Sequence, residues 1–316
     1  MLTSFILIIV FAIVLALSAG IVLSAVKRLA TISGLGKYAL ASMVLALSTS
    51  LPELVIAVQA GLQGRPNLSL GSVLGSNIAD LSIIIGLATI IGGNLAVSKN
   101  IIKTDIYYAF LIAAAPLILL MDHQLTRFDG LILILLFFFW QTLSIKSGKK
   151  AGAGIISSVK KQVGSQMNHV LIALLKLSAG LIGLVLSAHM LVGQAGNLAT
   201  HFQISPLIIG IFLVGLGSSL PELALEVKAI KNKEAELALG DLLGSIVANS
   251  SLILGVTAVL STITIAQPKL YMVTTLFFLI IFATFYIFIR TKAKLERWEG
   301  AILLMLYFIL VTIELL

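Results

Sequence analysis

The sequence predicts an all-α membrane protein with ten transmembrane helices in two inverted-topology five-helix repeats. The first observation is composition: 59% of the 316 residues are hydrophobic and 11% are charged, whereas about a quarter of the residues in soluble domains are charged. The second is a series of long apolar runs, and the third is an internal repeat at constant spacing. The chain has no Cys, which excludes disulfides, thiolate metal sites and a cysteine nucleophile.

Ten apolar runs bounded by charged or turn-forming residues define the helices, because a span needs about 20 apolar residues. We expect the spans near residues 3–25, 36–62, 68–93, 104–121, 128–146, 169–192, 203–231, 234–262, 270–290 and 298–315. Segment 147–168 is rich in Gly, Ser and Lys, which is typical of a linker. The predicted organisation is a first repeat at 1–146, this linker, and a second repeat at 169–316.

Orientation follows from the distribution of cations, because Lys- and Arg-rich loops stay in the cytoplasm. With ten spans, 17 of the 21 Lys and Arg residues fall on one side or near it, and Arg65, Arg127 and Lys269 fall on the other. We expect a multi-pass protein of the cell membrane with both termini outside and the 147–168 linker in the cytoplasm. The cations lie in separate loops, so no nucleic-acid partner is predicted, and the pattern indicates no oligomeric state.

Segments 46–86 and 215–255 align with each other without a gap, at a constant offset of 169 residues. The sequence S-L-P-E-L occurs at 50–54 and again at 219–223. Each half contains five predicted spans, an odd number, so the second half enters the membrane from the opposite side. In inverted repeats of this kind the functional site lies where the repeats meet, near mid-membrane.

Three acidic residues lie near the middle of the second, third and seventh predicted spans: Glu53, Asp80 and Glu222. A charged side chain at that depth costs about 2.5–3.5 kcal/mol on insertion scales, so we expect these side chains to face the bundle interior. Oxygen-bearing side chains recur one helical turn away on the same helix faces, or at the equivalent repeat positions. They are Thr49, Ser50, Ser76, Ser218, Ser219, Ser245 and Asn249.

Pro52 and Pro221 each precede one of the repeated acids. A proline cannot donate a backbone hydrogen bond and kinks its helix, which frees a carbonyl one turn earlier. We therefore expect nearby carbonyls, those of Ala46 and Gly215, to turn towards a ligand.

These residues offer carboxylate, hydroxyl, amide and carbonyl oxygens, with no His or Cys among them. Oxygen-only sites with several carboxylates suit hard cations, Ca²⁺ above all. The hydroxyls and carbonyls also suit Na⁺, and protons are a further candidate because they compete with metal for carboxylates. The pattern predicts a site for transported ions, with no cofactor and no catalytic residue.

Two further acids lie close to this pattern. Glu226 follows Glu222 by one helical turn and is close to Lys228, so we expect its side chain to extend towards the cytoplasmic end of the helix. Asp241 occupies the repeat position of Ser72. Two interpretations of Asp241 are open: it adjusts the charge of the cavity, or it pairs with a loop lysine.

The paired motifs resemble the two α-repeats of the cation/calcium antiporter superfamily, most closely those of prokaryotic sodium/calcium exchangers. The first half reads T-S-L-P-E with G-S-x-L-G-S-N-x-x-D, and the second reads S-S-L-P-E with G-D-x-L-G-S-x-x-x-N. The resemblance implies that the second, third, seventh and eighth helices hold one Ca²⁺ site and several Na⁺ sites. It also implies that the first and sixth helices slide across this core.

The resemblance assigns the central Ca²⁺ ligands to Glu53 and Glu222. It gives the carbonyls of Ala46 and Gly215 a role as additional Na⁺ ligands. The flanking ion sites would be lined by Thr49, Ser50, Ser76, Asp80, Ser218, Ser219, Ser245 and Asn249.

The predicted function is secondary antiport of Ca²⁺ against Na⁺ by alternating access. Proton/cation exchange on the same scaffold is the alternative, although the sequence lacks the G-N-x-x-E motif of the proton/calcium branch. A passive channel could use the same oxygens, but inverted repeats favour a transporter. An intramembrane aspartyl protease is disfavoured, because Ala238 and Leu239 precede the Gly240-Asp241 pair and no Tyr-Asp pair exists.

Overall fold

A computed structural model describes residues 2–33, 50–96, 99–151 and 167–315 of the protein. The helices are α1 (Leu2–Ser33), α2 (Leu51–Leu62), α3 (Pro66–Gly92), α4 (Lys99–Leu119), α5 (Arg127–Ala151), α6 (Met167–Phe202), α7 (Pro206–Ser218), α8 (Leu220–Lys231), α9 (235–260), α10 (Pro268–Lys292) and α11 (Arg297–Leu315). Within α3, α7 and α9 the helix widens into π segments, which are Asp80–Ile84, Gly210–Gly215 and Ala248–Ile253.

Long apolar helices make this an all-helical membrane protein, as predicted. Among the described residues, five helices are long and apolar enough to cross a membrane: Pro66–Gly92, Asp105–Asp122, Val170–Phe202, Ala238–Leu260 and Pro268–Lys292. Shorter apolar helices are Ile6–Val22, Leu51–Leu62 and Pro206–Ser218. The helix bounds agree with the other predicted spans to within several residues, apart from longer ends on α1 and α6, while α7 and α8 together make the seventh span. Of the second predicted span, 36–62, residues 36–49 lie outside the described part of the chain, and α2 forms its end.

The helices divide into a buried centre and a lipid-facing periphery. In the apolar windows of α3 and α9, 78% and 83% of the residues are buried, against 22% in α6. The large hydrophobic residues that α6 exposes are mostly leucine, isoleucine and valine, which suits a surface in contact with lipid. The centre of the molecule is therefore built from α3 and α9, the helices that carry Asp80 and Asn249.

Each half packs its last helix against the third helix of the other half. A methyl group added at Gly86 of α3 would lie 2.7 Å from the carbonyl oxygen of Gly300 in α11. The same arrangement recurs between α9 and α5, where a methyl group at Gly255 would lie 2.8 Å from the Gly130 carbonyl oxygen. Small residues allow this close backbone approach, which is a common means of helix association in membranes.

Two short antiparallel strand pairs also join the halves. Strand β1 (Leu95–Ala96) pairs with β4 (Lys294–Leu295), and β2 (Gln124–Leu125) pairs with β3 (Ile263–Thr264). These strands were not predicted, because two residues are too few to show the alternation of apolar and polar residues that marks a strand.

Candidate functional site

The repeated S-L-P-E motif starts a helix in both halves. Ser50 has φ −87° and ψ 7°, and Ser219 has φ −86° and ψ 1°. Each serine is the N-cap of the helix that follows, with proline at its start. The kink expected at Pro221 is confirmed, since α7 ends at Ser218 and α8 begins at Leu220.

The motif places a buried acid in the first turn of a helix in each half. Glu53 and Glu222 lie in the first turns of α2 and α8, where backbone N–H groups carry partial positive charge. A serine at the N-cap normally caps these N–H groups with its side chain. Neither Ser50 nor Ser219 does so, and each hydroxyl is buried without a hydrogen-bond partner. These hydroxyls are thus available to bind another group.

The carboxylates of Glu53, Asp80 and Glu222 are buried and lie within electrostatic reach of one another. Ser218 faces the carboxylate of Glu53, and Ser219 faces that of Asp80. Both oxygens of Glu53 nevertheless lack a hydrogen-bond partner among the described residues. The structure thus brings the three predicted acids of α2, α3 and α8 to one region of the interior.

Neutral oxygens gather where α3 crosses α7. The Ser76 hydroxyl donates to the carbonyl oxygen of Gly215 at 3.2 Å and lies 3.3 Å from the Ser218 hydroxyl. Ser218 also donates to the Gly215 carbonyl, at 3.0 Å. Gly71 and Gly75 permit this crossing, because a methyl group at either would collide with the backbone of α7. Three predicted site residues therefore share one oxygen cluster, which we call the Ser76 cluster (Ser76, Gly215 and Ser218).

An amide network orients Asn249. Its Nδ2 donates to Oδ1 of Asn77 at 3.1 Å, and Nδ2 of Asn77 donates to the Ser250 hydroxyl at 2.8 Å. Oδ1 of Asn249 is left without a partner. Asn77 and Ser250 were not predicted as site residues, because neither is duplicated: their repeat positions hold Ile246 and Leu81.

Several buried oxygen atoms near the break lack any hydrogen-bond partner in the described part of the chain. They are Ser50 Oγ, Glu53 Oε1 and Oε2, Asp80 Oδ1, Ser219 Oγ, Glu222 Oε2 and Asn249 Oδ1. Leaving one such group unsatisfied costs about 1–3 kcal/mol, and native proteins contain few. All these atoms are oxygens of carboxylates, amides or hydroxyls, and such oxygens are the ligands that a hard cation prefers.

The remaining predicted residues have mixed outcomes. Ser245 is buried on α9, at the repeat position of Ser76. Thr49 and Ala46 lie outside the described residues. Across ranges 2–33, 50–96, 99–151 and 167–315, no three acidic, histidine or cysteine side chains form a cluster of metal-binding geometry. Neutral oxygens would therefore have to complete the coordination of any ion.

The expectation for Glu226 is wrong. Its side chain is 1% exposed, so it does not extend to the cytoplasmic end of α8. The reason is packing: α8 lies against the end of α3, where a methyl group at Gly92 would lie 2.9 Å from the side chain of Ile230. Asp241 is also 1% exposed. It lies within electrostatic reach of four carboxylates, which favours the interpretation that it contributes to the charge of the cavity.

Comparison with known proteins gives consistent results for both halves. The model of the sodium/calcium exchanger protein family matches residues 3–146 and 172–316. The sodium/calcium exchanger MaX1 of Methanosarcina acetivorans is 25% identical over 323 residues, covering 89% of this chain and 91% of that protein. The putative antiporter CaxA of Alkalimonas amylolytica is 31% identical over 220 residues, covering 69% and 68%.

Solved structures extend the likeness to the whole fold. A structure of the sodium-calcium exchanger NCX_Mj, soaked with Na⁺ and Sr²⁺, has 26% sequence identity and a TM-score of 0.65. The alignment covers 99% of both chains.

Proposed function

Because the chain belongs to the sodium/calcium exchanger family, and is thus a transporter and not an enzyme, we propose that it exchanges Ca²⁺ for Na⁺ by alternating access. The observation that carries the proposal is the duplicated helix start at the S-L-P-E motif. In both halves the hydroxyl of the N-cap serine, Ser50 or Ser219, makes no capping hydrogen bond, and a buried glutamate follows it by one helical turn. The two helix starts bring these acceptor oxygens into the interior without supplying the hydrogen-bond donors that would satisfy them.

In this proposal Ca²⁺ binds between Glu53 and Glu222. Two carboxylates match the charge of a divalent ion, and Ca²⁺ accepts six to eight oxygen ligands in flexible geometry. Flanking ligands come from Thr49, Ser50, Asp80, Ser219, Ser245 and Asn249.

Na⁺ has a natural place at the Ser76 cluster, where two hydroxyls and one carbonyl oxygen lie within 3.3 Å of each other. Neutral oxygens suit a monovalent ion because they add no negative charge that would favour a divalent one. The carbonyl of Ala46 is the corresponding ligand in the first half. Ca²⁺ and Na⁺ then compete for overlapping oxygens, and this competition couples their movements.

Alternating access requires helices that can move against the core. We assign this to α1 and α6, which pack along each other, and α6 is the least buried of the five long apolar helices. Small residues line their contact, since Gly180 of α6 lies against Val22 of α1. The protein is proposed to lie in the cell membrane with both termini outside and the linker 147–168 in the cytoplasm.

The test is ⁴⁵Ca²⁺ flux in proteoliposomes with Na⁺, K⁺ and H⁺ gradients imposed separately. We expect the Na⁺ gradient to drive Ca²⁺ uptake, and Glu53→Gln or Glu222→Gln to reduce that uptake to background. Glu314→Gln is the matched control, because Glu314 is a partly buried acid of α11 that accepts from Thr274, away from the site. Uptake driven by H⁺ alone would instead identify a proton exchanger, and near-normal uptake by either variant would contradict the ligand assignment.

A further inference from the structure

Glu226 and Asp241 lie one helical turn beyond the proposed ligands, on the same side of them. Glu226 is four residues after Glu222 in α8, and Asp241 is four residues before Ser245 in α9. Four residues correspond to about 6 Å along a helix. Because α8 and α9 are antiparallel neighbours joined at 232–234, both displacements point towards that loop.

The first half has no equivalent acids. At an offset of 169, Ala57 occupies the repeat position of Glu226 and Ser72 that of Asp241. The interior is therefore electrostatically asymmetric: it carries two extra carboxylates towards loop 232–234 and none at the equivalent positions towards the loop between α2 and α3.

The two side chains interact with each other and with the central acids. Glu226 lies within electrostatic reach of Asp241 and Asp80, and it is 1% exposed. Its Oε2 is buried and has no hydrogen-bond partner among the described residues. The lysines of the nearby loop, Lys231 and Lys233, are exposed. A buried carboxylate that stays charged next to another acid needs a positive counterpart, because otherwise it takes up a proton.

We propose that Glu226 and Asp241 form an accessory site for a divalent cation, on the side of the central cavity that faces loop 232–234. Two carboxylates balance the charge of one divalent ion and supply up to four oxygens, and water completes the shell. With so few protein ligands the dissociation constant should be about 10⁻⁴–10⁻³ M, in the range of weak Ca²⁺ modules.

The site gives the transporter a preference between its two faces. A cleft lined by one sign of charge raises the local concentration of counter-ions. Ca²⁺ arriving from the 232–234 side would be held one turn from Glu222 before it enters the central cavity. This role in transport rests on the proposed function, whereas the binding of the cation does not.

Equilibrium Ca²⁺ binding to the purified full-length protein tests the site directly. The double variant Glu53→Gln/Glu222→Gln removes the central ligands, and we expect it to retain weak Ca²⁺ binding in calorimetry. Adding Glu226→Gln/Asp241→Asn should abolish this residual binding, whereas adding the control Glu314→Gln should not. Each variant is compared by thermal unfolding and gel filtration, so that loss of binding is read only from folded protein.

The inference is overturned if the folded double variant binds no Ca²⁺ up to about 10 mM, ten times the weak end of the expected range. It is equally overturned if the residual binding survives Glu226→Gln/Asp241→Asn. Failure of Na⁺-driven flux would count against the proposed function alone, because these binding measurements need no transport.

Sidedness supplies the second measurement. In the wild-type background, Glu226→Gln/Asp241→Asn should raise the KM for Ca²⁺ about tenfold on the face of loop 232–234, the low end of electrostatic focusing, and raise the KM on the opposite face by a smaller factor. Introducing the mirror pair, Ala57→Glu/Ser72→Asp, should lower the KM on the opposite face. An equal change of KM on both faces in the first variant would contradict a one-sided site.

Discussion

Asn249 donates a hydrogen bond of 3.1 Å from Nδ2 to Oδ1 of Asn77, and so leaves its own Oδ1 free within the buried interior. The two residues come from opposite halves of the chain, on α9 and α3. Asn77 is itself held by its bond to Ser250. The contact thus fixes the orientation of a proposed ion ligand through a residue that is not itself a proposed ligand.

Replacing Asn77 by Ala should weaken ion binding without unfolding the protein. Asn249 loses the acceptor that orients its amide, and a hydrogen bond of this kind contributes about 1 kcal/mol, or about fivefold in affinity. We expect the KM for Na⁺ or Ca²⁺ in flux assays to rise by that factor. Asn197→Ala on the exposed face of α6 is the control, and equal KM values for the two variants would show that Asn77 has no positioning role.

The contact between Gly86 and Gly300 should be sensitive to any side chain. Gly86→Val inserts atoms where a methyl group already lies 2.7 Å from the Gly300 carbonyl oxygen, and overpacking of this kind costs about 1–3 kcal/mol. We expect a lower Tm for the purified protein. Gly20→Val is the control, because nothing lies within 4 Å of a methyl group at Gly20; an unchanged Tm for Gly86→Val would refute the close packing of α3 and α11.

Arg65 ties the loop between α2 and α3 to helix α6. Its Nη1 donates to the carbonyl oxygens of Val192 and Gly193, at 2.8 and 3.0 Å. If α6 slides during transport, Arg65→Ala should shift the population away from this arrangement, because bonds to charged groups contribute about 1.5–3 kcal/mol.

The distance between α3 and α6 can be measured with a pair of spin labels attached to introduced cysteines, one on each helix. The sequence has no cysteine of its own, so only the introduced positions are labelled. In Arg65→Ala we expect a second distance between the two labels to become more populated than in the wild type. Arg127→Ala, a cation predicted on the same side of the membrane, is the control. Identical distance distributions in Arg65→Ala and wild type would mean that this contact does not bias the position of α6.

Two kinds of feature could be predicted from the sequence: motifs that occur in both halves, and polar residues that stand out in apolar segments. The spans could be predicted because polar loops interrupt apolar runs. The break between α7 and α8 could be predicted because a proline interrupts a helix. Glu53 and Glu222 could be predicted as site residues because an acid in a membrane span is costly when it faces lipid and is therefore expected in the protein interior.

Other features could not be predicted, for a physical reason. Lipid and protein interior are both apolar, so a membrane helix does not reveal from its sequence which face packs against protein. Glu226 was therefore expected at a lipid–water boundary, whereas α8 buries it against α3. The Asn77 network lacks a duplicate, and the glycine contacts between halves depend on how α3 and α11 meet in space.

The central claim is that Glu53 and Glu222 share one divalent cation, and a crystal structure of the protein soaked with Sr²⁺ tests it most directly. Sr²⁺ is a larger chemical relative of Ca²⁺ with a usable X-ray absorption edge. We predict an anomalous peak at coordination distance from both carboxylates, slightly longer than the 2.3–2.6 Å typical of Ca²⁺, and its loss in Glu53→Gln. A peak that contacts neither carboxylate, or one that persists unchanged in that variant, would contradict the account.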